Sequence, residues 1–395
     1  MSERKYQALM GNHAAAHAMR QINPDVVPAY PITPQTALMQ KFSDFYADGD
    51  VDSEMILVES EHSAMSAAVG ASAAGARVMT ATSANGLALM WEIVYIAASS
   101  RLPIVMTVVN RALSGPINIH CDHSDTMGTR DSGWIQIYSE NAQEIYENVI
   151  QSVRIAEHPD VLLPVMPTMD GFIISHGMES VYLFEDEEVK DFVGEYKPKR
   201  SLLDVESPIT FGPLDLPDYY FEHKRQQADA MKNALKVIQD VGKEFSQKFG
   251  TKEYGLTEGY MLDDAEIVVV GLGSTCGTLR TVVDKLREAG VKAGLLKIRV
   301  FRPFPLDEIR GKLSKANAIA VLDRADSFNA VSGPLYSEVK ASLYGEVNTP
   351  IVNYIYGLGG RDITLEMLEK VYRDLGRITQ KGEAEQELTY LGVRD

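Results

Sequence analysis

Apolar residues recur along this chain in short continuous runs, separated by stretches in which they follow helical spacing. Runs this short, flanked by turn residues, predict strands buried on both faces of a parallel sheet. The predicted strands are 26–30, 55–58, 78–82, 104–109 and 161–166 in the first half, and 266–270, 293–300, 318–322 and 350–355 in the second. Strands that alternate with helices predict an α/β fold with two sheets.

The pattern changes between the two sets of strands. Residues 141–157 have the apolar spacing of a helix. Residues 197–219 contain four prolines amid mixed polarity and predict an irregular connection, and residues 220–249 predict a long amphipathic helix. We therefore expect a first domain at 1–196, a connection with its linker helix at 197–262, and a second domain at 263–395.

Charge and cysteine content narrow the function. The formal net charge is -17, which argues against nucleic acid or an anionic membrane as a partner. Cys121 and Cys276 are the only cysteines, too few for a disulfide framework or a four-cysteine iron–sulfur cluster. The most apolar stretch, 93–109, is interrupted by Ser99, Ser100 and Arg101, and no apolar leader opens the chain. These features favour a cytoplasmic location without a membrane span.

Three side chains are placed where α/β proteins bind small molecules. Pro31 and Pro34 flank Thr33 just after a predicted strand, so its hydroxyl is held on stiff backbone. Glu61 opens a helix of mostly Ala, Gly and Ser, and Arg111 follows the strand 104–109. The carboxyl ends of such strands meet at one edge of the sheet and form a ligand site. Taken singly, Glu61 could simply complement its helix dipole and Arg111 could form a structural ion pair.

Two other motifs suggest different chemistry. The turn Gly271–Gly277 follows a strand and opens a helix, as a dinucleotide-binding turn does, but its glycine spacing is one residue too long. The cluster from His120 to Asp125 is rich in metal-ligating side chains, yet the sequence offers no second ligand pair. A plain strand-to-helix turn and a polar active-site loop are the simpler interpretations.

Together these motifs resemble the α subunits of pyruvate:ferredoxin oxidoreductases, members of the 2-oxoacid:ferredoxin oxidoreductase family. The resemblance extends over essentially the whole chain. The matching segments are 29–36, 58–64, 80–86, 109–112, 121–125, 170–172, 299–304 and 356–360.

The resemblance implies a pyrimidine-binding module of thiamine diphosphate enzymes, with helices on both faces of a parallel sheet, followed by a transketolase C-terminal-like α/β domain. In such proteins Glu61 would contact N1′ of the aminopyrimidine, with Pro31 and Ile32 beside the cofactor. Thr33 and Arg111 would bind the substrate carboxylate. The implied reaction is the reversible oxidative decarboxylation of pyruvate to acetyl-CoA and CO₂, with electrons passed to ferredoxin.

The same resemblance implies that the chain is half of an active site. Thiamine diphosphate enzymes hold Mg²⁺ and the diphosphate with a Gly-Asp-Gly motif, which is missing from this sequence. A β subunit would carry that half and an iron–sulfur cluster, and γ and δ subunits would carry ferredoxin-like clusters. Three alternatives stay open: a relative acting on 2-oxoisovalerate, 2-oxoglutarate or oxalate, an NAD(P)-dependent dehydrogenase that uses the Gly271 turn, and a non-catalytic scaffold.

Overall fold

The computed structural model describes residues 6–329 and 332–394. The strands are β1 (Tyr6–Met10), β2 (Val26–Ala29), β3 (Glu54–Leu57), β4 (Met79–Thr82), β5 (Val105–Asn110), β6 (Ile135–Tyr138), β7 (Val165–Asp170), β8 (Met178–Tyr182), β9 (Thr257–Tyr260), β10 (Ile267–Gly271), β11 (Ala293–Ile298), β12 (Val300–Arg302), β13 (Ala318–Asp323), β14 (Ile351–Tyr356) and β15 (Leu388–Leu391). The helices are α1 (Gly11–Ile22), α2 (Thr36–Asp48), α3 (Glu61–Ala73), α4 (Ala84–Leu89), α5 (Trp91–Ser99), α6 (Ser124–Gly128), α7 (Ala142–Glu157), α8 (Asp186–Val193), α9 (Tyr220–Phe249), α10 (Thr275–Glu288), α11 (Leu306–Leu313), α12 (Pro334–Leu343) and α13 (Leu365–Lys381). A short 3₁₀ turn, Leu358–Gly360, follows β14.

The first sheet has the strand order β12-β6-β7-β5-β4. Its strands β4, β5, β7 and β6 are parallel, while β12 runs antiparallel to β6. A single parallel bridge between Val26 and Val78 joins the β2–β3 pair to the β4 side of this sheet. The carboxyl ends of β2, β3, β4, β5 and β7 therefore point toward one edge.

Helices cover both faces of the first sheet. Buried side chains of α1, α2, α7 and α9 form the core on one face, and those of α3, α4 and α5 form the core on the other. The expected parallel sheet with helices on both faces is confirmed. The long helix α9 has the bounds that the apolar pattern predicts, and it packs on α7 and α5.

The second sheet has the order β15-β14-β13-β10-β11-β9, with β9 antiparallel and the other strands parallel. Its two faces are also buried, one under α10 and α13 and the other under α11 and α12. Two of the predicted strands, 161–166 and 293–300, differ from the strands in the structure.

The strand predicted at 161–166 is displaced toward the carboxyl end. Residues 159–161 form a turn, Leu162 after them has a φ of 45°, and β7 begins only at Val165. The guanidinium of Arg101 donates hydrogen bonds to the main-chain oxygens of Val161 and Leu162, which stabilises that turn. An apolar run can thus span a buried turn as well as a strand.

The strand predicted at 293–300 divides at Arg299. The residues before it, β11, pair within the second sheet, and the residues after it, β12, pair with β6 of the first sheet. The buried guanidinium of Arg299 donates to the side-chain oxygens of Asn148 and Gln151 on α7. One continuous segment therefore belongs to both sheets and connects them.

Within the described residues, no helix combines the length and the apolar character that crossing a membrane requires.

Candidate active site

Glu61 is a buried carboxylate at the first turn of α3. The Oγ of Ser60 accepts a hydrogen bond of 3.2 Å from the main-chain nitrogen of Ser63 and so caps the helix. Glu61 is only 7% exposed, and its carboxylate accepts no hydrogen bond from residues 6–329 or 332–394. Because buried polar groups normally have partners, this carboxylate has the character of a group that awaits a ligand.

Gly86 forms the wall behind Glu61. A Cβ at position 86 would lie 2.8 Å from Glu61 Oε1 and 2.6 Å from the hydroxyl of Thr82. The Thr82 hydroxyl is itself buried without a hydrogen-bond partner among the described residues. The backbone of the turn between β4 and α4 therefore lies so close to the Glu61 carboxylate that a side chain at position 86 would collide with it.

Arg111 lies directly after β5 and reaches back to Thr33. Its Nη1 donates to the main-chain oxygen of Thr33 at 2.9 Å, and its Nε donates to the main-chain oxygen of Asn118 at 3.0 Å. The residue is 7% exposed and forms no ion pair among the described residues. The interpretation of Arg111 as an exposed member of a structural ion pair is therefore wrong. Within the described residues, its guanidinium donates hydrogen bonds to two neutral main-chain oxygens.

The segment that carries Thr33 is fixed by its own backbone. The oxygen of Ile32 accepts hydrogen bonds from the nitrogens of Gln35 and Thr36, at 2.8 and 3.1 Å. Pro31 and Thr33 are exposed and Ile32 is partly buried. The structure thus brings Arg111 into contact with the main chain of Thr33, whereas Glu61 makes no hydrogen bond to either and lies against Gly86.

The Gly271 turn binds a carboxylate of this chain. Asp170, at the end of β7, accepts hydrogen bonds from the main-chain nitrogen and the hydroxyl of Ser274, at 3.0 and 2.5 Å. A Cβ at Gly273 would lie 3.0 Å from both carboxylate oxygens. The amino-terminal end of α10 is therefore filled by an anion from the first sheet, which accounts for this turn without a nucleotide.

His123 and Arg324 complete this buried cluster. The Nε2 of His123 lies 2.7 Å from Asp170 Oδ1, and Arg324 Nη1 donates to Oδ2 at 2.7 Å. Burial opposes ionisation of Asp170, but the neighbouring side chains of His123 and Arg324 hold its pKa below the ordinary value. The cluster joins loops from both sheets.

The cluster does not suit a metal ion. Cys121, His123 and Asp170 do bring three potential ligand atoms within 4.8 Å of one another, an arrangement that the sequence did not suggest. However, the guanidinium of Arg324 already bonds the carboxylate, and its Nη1 lies 3.9 Å from Cys121 Sγ. A fixed cation at this distance repels a metal cation, so the site is a structural ion-pair cluster.

Comparison with known proteins identifies the family. Residues 17–243 match the family described as pyruvate flavodoxin/ferredoxin oxidoreductase, thiamine diP-binding. Residues 265–368 match pyruvate:ferredoxin oxidoreductase core domain II. The chain belongs to the pyruvate:ferredoxin oxidoreductase family.

Relatives within this family are similar over nearly their full length. The pyruvate synthase subunit PorA of Thermotoga maritima is 59% identical, with 98% of each chain covered. The PorA subunit of Methanocaldococcus jannaschii is 50% identical over 92% of this chain and 93% of its own. The ketoisovalerate oxidoreductase subunit VorA of Pyrococcus abyssi is 44% identical, again with 98% of each covered. The family therefore includes members named for different 2-oxoacids.

Solved structures agree on the fold of this family member. A 2-oxoglutarate:ferredoxin oxidoreductase from Magnetococcus marinus superposes with a TM-score of 0.75 at 19% identity, covering 94% of this chain and 66% of that one. A split-gene transketolase superposes with a TM-score of 0.54 at 13% identity, covering 94% and 98%. The expected combination of a pyrimidine-binding module and a transketolase C-terminal-like domain is confirmed at the level of fold.

Proposed function

We propose that this chain is the subunit of a pyruvate synthase that binds the aminopyrimidine of thiamine diphosphate and the carboxylate of pyruvate. One observation carries the proposal. The buried carboxylate of Glu61, which has no hydrogen-bond partner among the described residues, and the guanidinium of Arg111, which forms no ion pair among them, follow strands whose ends share one edge of the first sheet. The overall reaction is the reversible conversion of pyruvate and coenzyme A into acetyl-CoA and CO₂, with electrons passed to ferredoxin.

Glu61 exchanges a proton at N1′ of the aminopyrimidine. When bound, thiamine diphosphate supplies the electron sink for decarboxylation. A general acid–base group must be held rigidly at the atom with which it exchanges the proton. The helix cap at Ser60 and the close wall at Gly86 fix Glu61 in this way. The protein contributes orientation, and Pro31 and Ile32 lie on the segment that would face the cofactor.

Arg111 and Thr33 bind the substrate carboxylate. A guanidinium binds a carboxylate through two parallel hydrogen bonds, and two of the Arg111 nitrogens already fix its plane against Thr33 and Asn118. The exposed side chain of Thr33 offers a neutral hydroxyl nearby. A single arginine suits a small 2-oxo monocarboxylate such as pyruvate.

Partner subunits complete the site. We propose that a β subunit contributes the Mg²⁺ and diphosphate half together with an iron–sulfur cluster, and that γ and δ subunits bear ferredoxin-like clusters. Large apolar side chains are exposed around the carboxyl edge: Leu57 and Ile117 are 77% and 78% exposed, and Leu89 and Trp91 are also exposed. Apolar surface of this kind is usually covered by another chain. We also propose the division into residues 1–196, 197–262 and 263–395.

The direct test is turnover of the co-purified complex with a low-potential electron acceptor. We expect pyruvate to give the highest kcat/KM, with activity dependent on thiamine diphosphate and coenzyme A. Because a 44% identical relative is named for ketoisovalerate, 2-oxoisovalerate is the essential comparison, with 2-oxoglutarate and oxalate beside it. A higher kcat/KM for any of these three would contradict the choice of pyruvate. Turnover by the isolated chain would contradict the shared site.

A further inference from the structure

Asp125 is a buried carboxylate that accepts hydrogen bonds both from the turn beside Glu61 and from the main chain of Arg111. It lies in α6 and is 2% exposed. Each of its two carboxylate oxygens accepts two hydrogen bonds from N–H donors. Oδ2 accepts from the main-chain nitrogens of Ala84 and Arg111, at 3.0 and 2.9 Å, and Oδ1 accepts from the nitrogen of Thr126 and the Nδ2 of Asn110, at 2.7 and 2.9 Å.

On one side, Asp125 fixes the wall behind Glu61. Ala84 opens α4 with a φ of 38°, a left-handed conformation that a residue with a Cβ adopts only when its surroundings enforce it. The hydrogen bond from the Ala84 nitrogen to Asp125 provides that constraint. Gly86 follows two residues later and faces Glu61, so the position of this wall depends on the same carboxylate.

On the other side, the same oxygen fixes Arg111. The main-chain nitrogen of Arg111 donates to Asp125 Oδ2, and from this anchor the guanidinium reaches the oxygens of Thr33 and Asn118. A single atom therefore joins the backbone of the substrate arginine to the turn that supports the proton-exchanging carboxylate.

We propose that Asp125 is a positioning residue that sets the spacing between Glu61 and Arg111. This inference rests on the function proposed above and deepens it, because it names the group that aligns the substrate carboxylate with the acid–base carboxylate. Asp125 itself touches neither substrate nor cofactor in this account. Through its contact with Arg111, Asp125 affects the KM for pyruvate. Through the turn that carries Gly86, it affects kcat.

The substitution Asp125→Asn tests the proposal with little change in size. All four partners are N–H donors, so either orientation of the amide places its NH₂ group against two of them. In the assembled complex we expect the KM for pyruvate to rise about ten-fold and kcat to fall about ten-fold, because small displacements of positioning groups are costly. Asp229→Asn, on the exposed face of α9, is the matched control and should leave both parameters unchanged.

A second background keeps the test decisive if Asp125→Asn alone fails to assemble. Glycine adopts a left-handed φ unaided, so Ala84→Gly removes the need for that constraint. In the Ala84→Gly background, Asp125→Asn should recover part of kcat, while the KM for pyruvate stays raised because Arg111 has still lost its anchor. A wild-type KM for Asp125→Asn in both backgrounds would overturn the proposal, since a merely structural role reduces the yield of complex and leaves the KM alone.

Arg111→Ala, measured in parallel, separates this inference from the proposed function. If Arg111→Ala raises the KM and Asp125→Asn does not, only the role of Asp125 is wrong. If Arg111→Ala leaves the KM unchanged, the substrate role of Arg111 fails, and the role of Asp125 fails with it.

Discussion

The carboxylate of Asp170 accepts two hydrogen bonds from Ser274, one from its main-chain nitrogen and one from its hydroxyl. The residues are 104 positions apart and stand at the carboxyl ends of strands from different sheets. A turn that resembles a phosphate-binding motif is therefore part of the joint between the two sheets. With Arg324 and His123 bonded to the same carboxylate, the joint is a buried ion-pair cluster.

Asp170→Asn should destabilise the chain strongly. The change leaves the buried charge of Arg324 without its counter-charge, and removing one partner from a buried pair costs about 3–5 kcal/mol. The midpoint of denaturant unfolding measures the loss. Asp229→Asn breaks the exposed pair with Arg225 and should cost no more than about 0.5 kcal/mol. Equal effects of the two substitutions would show that the joint does not stabilise the fold.

Gly86→Ala should reduce turnover while the complex still assembles. The added methyl group would approach Glu61 Oε1 to 2.8 Å and the Thr82 hydroxyl to 2.6 Å, so the carboxylate must move. We expect kcat to fall by about ten- to a hundred-fold, since displacement by roughly 1 Å can cost that much. Gly376→Ala is the matched control, because its Cβ meets nothing within 4 Å. Wild-type kcat for Gly86→Ala would argue against the importance of this wall.

Arg111→Ala should raise the KM for pyruvate more than Thr33→Ala does. Loss of a charged donor costs about 1.5–3 kcal/mol and loss of a hydroxyl about 0.5–1.5 kcal/mol. Thr33→Ala also keeps the main-chain oxygen that accepts from Arg111, so the arginine stays in place. Steady-state kinetics with thiamine diphosphate titrated separately checks both. If Arg111→Ala weakens cofactor binding and spares the pyruvate dependence, the arginine is structural, and the substrate site should be sought in residues 118–125.

The stability of the chain should depend on pH through Glu147. Burial raises its pKa from 4.5 to about 7, although Tyr254 and Gln143 donate hydrogen bonds to it. A carboxyl whose pKa is raised in the fold is protonated there while it is ionised in the unfolded chain. The free energy of unfolding therefore falls as pH rises from about 4.5 to about 7.

Glu147→Gln should remove this dependence, since glutamine can still accept from Tyr254 and has no proton to lose. Between about pH 5 and pH 7.5 the difference in unfolding free energy between variant and wild type should change by roughly 2.4 kcal/mol in favour of the variant. The buried carboxyls of Asp125 and Asp323, whose pKa values are raised to about 6, are present in both proteins and cancel. Parallel pH profiles of the two proteins would contradict the assignment.

Local pattern was sufficient for most of the parallel strands and for the helices α7 and α9. The helix α9 matches its predicted bounds because its apolar stripe is long and ends at a glycine. Thr33, Glu61 and Arg111 could be proposed as site residues from the sequence because each follows a predicted strand within a few residues. No role for Asp125 could be assigned from the sequence, although it belongs to the polar segment from His120 to Asp125, because a buried carboxylate that accepts hydrogen bonds from four N–H donors leaves no local signal.

Contacts between residues that are far apart in the sequence determine the structural features that the local apolar pattern did not predict. The division at Arg299 depends on partners on α7, about 150 residues earlier, so one apolar run joins two sheets. Short strands such as β9 and β15 lie at sheet edges and carry mixed polarity, so only their neighbours define them. The contact of Asp170 with Ser274 likewise depends on how the sheets meet.

The most direct test of the account is the turnover of Glu61→Gln in the assembled complex. Glutamine preserves the size of the side chain and can form a hydrogen bond, but it cannot exchange a proton with N1′. We expect normal assembly with the partner subunits and a loss of pyruvate turnover on the order of 10²–10⁴-fold, the usual contribution of a general acid–base group. Near wild-type turnover would contradict the catalytic role of Glu61 and favour a non-catalytic scaffold.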